Sequence, residues 1–190
     1  MIYDINSINK KRSPWIEYNS VFDCNKLEAG GDPWSFETKR KKIEDMKIFL
    51  GGTCNNSTWR DKLIPLLEDI GMNYFNPIVG NLTYEDIIKE NKEKEICDIN
   101  LFIISPLMDG VYPIAEIVDL SNKSSYKVLF VIANEDIKED GSIIKFDNAQ
   151  YKSLSNTVKL VQNNGVKTLY IQNAIDKENL DLVIQSLLEM

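Results

Sequence analysis

The stretch Ile99-Asn100-Leu101-Phe102-Ile103-Ile104-Ser105 decides the fold. Six of its seven residues are apolar or small, and no polar residue recurs at every second position. A strand with one wet face alternates apolar and polar. A continuous apolar run is instead the pattern of a strand covered on both faces, as in a parallel sheet. The run Lys127–Ala133 (KVLFVIA) repeats the pattern, and Lys47–Leu50 (KIFL) is a shorter version stopped by Gly51-Gly52.

Working outward, Asn73–Asn76 reads as a strand ending at Pro77, and Val166–Ile171 as a fifth strand. Helical spacing fills the intervals. Trp59, Leu63, Leu66, Leu67 and Ile70 mark a helix over Trp59–Ile70, with Ser57 or Thr58 as its cap. Pro65 should kink that helix or mark a late start. Further helices are expected over Tyr84–Ile96, Tyr112–Ser121, Ala149–Gln162 (capped by Asp147) and Lys177–Leu188. Residues 134–147 read as a polar loop. Strands alternating with helices predict an α/β domain. Its five-stranded parallel sheet is doubly wound and flavodoxin- or Rossmann-like, in order 2-1-3-4-5. That domain should span 46–190. Residues 1–45, with Pro14, Gly30-Gly31 and the basic run Lys39–Lys42, read as an N-terminal arm or hairpin.

Composition narrows the chemistry. The chain has 190 residues and a net charge of −7, with 29 acidic against 22 basic residues. No basic field exists to neutralise a nucleic-acid backbone or a membrane surface. There is no His, which excludes imidazole bases and His metal ligands within the chain. Acid–base work falls to carboxylates, Lys, Tyr, Cys or water. Cys24, Cys54 and Cys97 are odd in number and widely spaced. They form neither a disulfide framework nor a metal knuckle, and point to a reduced, cytoplasmic chain. No apolar window is long enough to span a membrane, and the N-terminus lacks an apolar signal core.

In doubly wound sheets, ligands bind beyond the carboxyl ends of the strands. The segments to inspect are therefore Gly51–Arg60, Asn76–Gly80, Ser105–Glu116 and Ala133–Asp136. The two glycines let a ligand approach the backbone, although no GKS/T makes the loop a phosphate-binding Walker motif. After the third strand, Asp109-Gly110 marks a turn and Pro113 a helix start. Glu116 then falls among Ile114, Ala115, Ile117 and Val118. Its plain reading is a first-turn carboxylate complementing the helix dipole. Its functional reading is a nucleophile or general base. Glu90, Glu93, Glu95 and Asp98 form a second acidic run, mostly a solvated face, of which one or two members reach the cleft.

The strings KIFLGGTCNNSTWRDKLIPLL (47–67), YFNP (74–77) and EICDINLFIISPLMDGVYPIAEIVDL (95–120) resemble the nucleoside 2-deoxyribosyltransferase-like family in order and spacing. The resemblance covers about Lys47 to Ala133. It implies cleavage or transfer at the N-glycosidic bond of 2′-deoxynucleosides or deoxynucleotides. Glu116 matches the nucleophile, and Glu90, eight positions before Asp98, matches the assisting acid, where the family usually has Asp. The glycines usual around the nucleophile are replaced by Tyr112, Pro113 and Ala115. Expected substrate contacts are Gly51, Gly52, Thr53, Asn76, Asp98 and Asp109, with Trp59 or Tyr112 stacking on the base and Arg60 gripping a 5′-phosphate. No metal or cofactor is implied. The implied partners are a small nucleoside or nucleotide and further copies of the chain, as a homodimer or larger homo-oligomer, with no nucleic-acid polymer and no membrane. Two alternatives stand beside this reading. One is a non-catalytic nucleotide-binding or interaction module on the same scaffold, favoured by the replacements around Glu116. The other is a TIR-like NAD glycohydrolase.

Overall fold

A computed structural model describes residues 43–54, 56–81 and 83–190. The expected arm over residues 1–45 lies almost wholly outside them. The elements run β1 (Lys47–Gly52), α1 (Trp59–Asp69), β2 (Asn73–Phe75), α2 (Tyr84–Ile96), β3 (Ile99–Ile104), α3 (Tyr112–Ser121), β4 (Val128–Ile137), β5 (Ile143–Lys145), α4 (Asn148–Gln162), β6 (Lys167–Asn173) and α5 (Lys177–Leu188).

The apolar runs become the centre of the sheet. β3 lies parallel to β1 (Leu50 opposite Leu101) and to β4 (Phe102 opposite Phe130). β2 pairs parallel with β1, and β6 parallel with β4. The expected order 2-1-3-4 and then the strand near Val166 is therefore present, all parallel, with β6 in the fifth place. Successive side chains alternate between two cores. Ile48, Leu50, Leu101, Ile103, Leu129 and Val131 pack on Trp59, Leu63 and Leu67 of α1 and on Leu180, Val183 and Leu187 of α5. Phe49, Phe102, Ile104, Phe130 and Ile132 pack on Ile117 and Leu120 of α3 and on Leu154, Val158 and Val161 of α4. This is why the strands show no polar alternation: each face has its own helices.

Four local expectations are corrected. β1 does not stop at Leu50 but continues through Gly51 and Gly52, which pair with Phe102 and Ile103. A Cβ on Gly51 would stand 2.4 Å from the Phe102 ring, and one on Gly52, at φ +108°, 2.1 Å from the Ile103 carbonyl oxygen. The glycines thus answer first to the close approach of β3. Neither Ser57 nor Thr58 caps α1. Thr58 occupies the cap position without a side-chain bond, and Ser57 is drawn to Asp136 instead. Pro65 does not mark a late start: α1 already begins at Trp59 and carries the proline inside it. The expected polar loop 134–147 is largely a hairpin. β4 extends to Ile137 and β5 returns antiparallel along Glu135–Ile137. Glu135 pairs with both Lys145 and Asn173, so β5 lies on the β3 side of β4, past the end of β3.

The caps of α2 and α4 are complete. Thr83 and Asp86 exchange reciprocal bonds at one, and Asp147 and Gln150 at the other, satisfying N–H groups that a helix start leaves open. Among the described residues no helix is long and apolar enough to cross a membrane.

Topology fixes where the site lies. After β1 the chain leaves for α1 on one face. After β3 it leaves for α3 on the other. The two departures open a crevice between the carboxyl ends of β1 and β3, the switch point of a doubly wound sheet.

Candidate active site

That crevice holds a cleft of about 820 Å³. Its floor is Gly51, Gly52, Thr53 and Cys54 at the end of β1. One wall is Met108, Asp109, Gly110, Tyr112 and Pro113 with Glu116 of α3. The opposite wall is Pro77, Ile78 and Val79 with Ile87, Glu90, Asn91 and Lys94 of α2.

Glu116 is the fifth residue of α3, beyond the first turn, so a dipole role does not account for it. Pro113 fixes the helix start, and the inward residues Ile117 and Leu120 anchor the helix to the sheet. That rotation turns Glu116 toward the cleft, where its side chain is 12% exposed. Burial pushes its carboxyl above the usual glutamate range, opposed by the Lys94 ammonium bonded to Oε1.

Lys94 is the residue that the reading of the sequence passed over. Its Nζ donates to Glu116 Oε1 and lies 2.8 Å from Glu90 Oε1, with the Phe49 ring centroid 5.2 Å away. Burial pushes the ammonium down, but the bonds to Glu116 and Glu90 outweigh it and hold it above the ordinary lysine value. One ammonium against two carboxylates leaves the cluster with one net negative charge. The signal in the sequence was the i,i+4 spacing of Glu90 and Lys94, which brings them to one helical face. Glu93 serves elsewhere, pairing with Lys47 at 2.5 Å.

Several expected contacts lie elsewhere. Trp59 is wholly buried in the core, its Nε1 donating to the Thr53 carbonyl at 2.8 Å, so it cannot stack on a ligand. Arg60 reaches the cleft wall, but its donors are engaged. Nε donates to the Leu50 carbonyl (3.0 Å) and Nη1 to that of Thr53 (2.6 Å), while the guanidinium lies 4.2 Å from the Trp59 ring. Burial lowers its pKa to about 10. It pins the β1 turn and is not open to a bidentate phosphate. Asp98 accepts from the Lys47 N–H at 2.7 Å, at the start of β3 and thus the far end of the sheet. Asn76 is not among the lining residues. Its side chain accepts from the Ile78 N–H at 3.2 Å and shapes the turn that carries Ile78 and Val79. Thr53 lines the floor while its hydroxyl accepts from the Ser105 N–H at 2.8 Å. Tyr112 stands at the rim, 66% exposed.

A further buried group holds this frame. Asp136 Oδ2 accepts from Ser57 Oγ (2.6 Å) and Ser105 Oγ (2.5 Å), and Oδ1 from the Ile137 N–H (2.8 Å). It ties the loops after β1 and β3 to β4. Residues 31 and 79 positions apart meet here, a pairing with no local sequence signal.

No curated protein and no solved structure matches the chain. Residues 45–137, from just before β1 to the last residue of β4, do match a family model, that of the family described as nucleoside 2-deoxyribosyltransferase like.

Proposed function

We propose that the chain cleaves or transfers at the N-glycosidic bond of 2′-deoxynucleosides or deoxynucleotides, with Glu116 as nucleophile and Glu90 as assisting group. The observation that carries this reading is the inward Glu116 carboxylate at the switch crevice, held by a cation through one oxygen. It is supported by the family match over 45–137.

In the reaction a Glu116 oxygen donates its electron pair to the anomeric carbon. The C–N bond breaks, and its electron pair leaves with the base, which takes a proton from water. The deoxyribosyl ester is then opened by water or by a second base at the same carbon, restoring Glu116, as in retaining glycoside hydrolysis. The transition state carries positive charge on the sugar, and a cluster with one net negative charge favours it. Deoxyribose lacks the 2′-hydroxyl that would oppose that charge.

The test is chromatography of free base after incubation with deoxynucleosides, deoxynucleotides and NAD. Glu116→Gln should abolish release by several orders of magnitude with folding retained. Glu90→Gln should slow it by about 10²–10⁴-fold, the usual contribution of a positioned acid or base. Release from NAD in preference to deoxynucleosides favours the glycohydrolase reading, and binding without release favours the non-catalytic module. We also read the exposed apolar rim of Ile78, Val79, Val111 and Tyr112 as a surface for homo-oligomer assembly, and the free thiols of Cys54 and Cys97 as those of a cytoplasmic protein.

A further inference from the structure

α2 is thirteen residues long, yet the side chain it buries is a lysine. The inward face of a surface helix ordinarily carries apolar residues. Here that position holds Lys94, 6% exposed. A buried ion pair rarely outperforms a well-packed apolar replacement in stability, because both ions must leave water. Fold stability therefore gives no reason for this arrangement, and the site does.

Two features define it. Lys94 bonds Glu116 through Oε1 alone, so the second carboxylate oxygen is not engaged by this contact. Lys94 and Glu116, with Asn91 and Tyr112, also line both the main cleft and a second cavity of about 500 Å³.

We propose that Lys94 is the positioning residue of the site: it clamps one oxygen of Glu116, presents the other to the substrate, and shares its charge with Glu90. The assignment rests on the reading of Glu116 as nucleophile. When Glu116 becomes an ester it loses its charge, and the Lys94–Glu90 pair that remains is neutral, so no uncompensated ion is left in the wall.

The other groups facing the pair set the background. From α2 comes Glu95, and from α3 Asp119, which is paired with Lys123 at 2.5 Å. Tyr112 borders both cavities and Tyr126 the second. Arg60, Cys54 and Asp109 line the main cleft. Of the acidic groups, Glu90 bonds directly to Lys94, so it and Lys94 are the two to change.

The experiment follows the Glu116 side-chain carboxyl by carbon NMR against pH in the full chain, beside the pH profile of kcat/KM for base release. In Lys94→Met, which keeps the side chain's length without its charge, the Glu116 titration and the acidic limb should both move up by about one pH unit or more, the scale of a lost opposite charge within contact. On the acidic limb, activity should fall about tenfold for each pH unit of that shift and recover as pH rises. In Glu90→Gln both should move down, because a like charge is removed while Lys94 stays. Lys94→Arg should leave the titration near that of the wild type. An unmoved Glu116 titration in Lys94→Met, or a downward move, overturns the assignment. If Lys94→Met does not fold, an upward or absent shift in Glu90→Gln overturns it instead. If the titrations move as stated but no base is released from any substrate, the clamp stands and the glycosidic reading fails. If base is released and the titrations do not move, the reverse holds.

Discussion

At the scale of single residues, the site is made by groups whose partners lie far along the chain. Asp136 is wholly buried and satisfied by hydroxyls of Ser57 and Ser105 and by one N–H. Sequence placed Ala133–Asp136 beyond the end of a strand, whereas the strand runs through it, so its bonding was hidden. Glu116 was legible because a carboxylate stood out within an apolar helix start. Trp59 and Arg60 misled because composition shows what a side chain can do and not where its hydrogen bonds are already committed. Gly51 and Gly52 were legible as glycines, but the demand comes from β3. Gly52→Ala is expected to destabilise by more than the about 1–3 kcal/mol that a strained φ alone costs, since its Cβ also meets a backbone carbonyl. A fall in the urea midpoint measures it, and an unchanged midpoint would contradict the close approach of β1 and β3.

At the scale of elements, continuous apolar runs identified the central strands because both sheet faces are covered, and helical spacing identified the five long helices among the described residues. What escaped was the extension of β4 and its hairpin with β5. That pairing rests on Glu135, Asp136 and Ile137 against Ile143–Lys145, a polar stretch with no alternation to betray it. The cap of α4 at Asp147 was legible, while α1 shows that a Ser-Thr pair before a helix need not cap it. The start of α2 depends on Thr83, whose hydroxyl accepts from the Asp86 N–H at 3.2 Å. Thr83→Ala should cost about 1 kcal/mol, the usual value of such a cap. The Asp86 carboxyl is held below the usual range by its bonds to Thr83. Its support is present above the unfolded pKa and is lost as pH falls through the folded one. Circular dichroism across acid pH should therefore show a weaker acid dependence in the variant.

At the scale of the whole molecule, the family-matched stretch ends at Ile137, yet the cores do not. Leu154, Val158 and Val161 complete one face, and Leu180, Val183 and Leu187 the other, while β6 covers the open side of β4. Each such side chain is worth about 1.5–3 kcal/mol when buried. Their sum matches or exceeds the about 5–15 kcal/mol that holds a domain folded. A chain cut after Ile137 should show no cooperative thermal transition in calorimetry, whereas the full chain should show one. The same division of labour has a consequence for α2, whose buried side chain is a lysine and which adds nothing to either apolar core. The cleft wall that α2 supplies can be rewritten by mutation without repacking the interior. New ligand preferences can arise there by drift or by design on an unchanged scaffold, and a melting temperature will not reveal what the cleft of any one copy accepts.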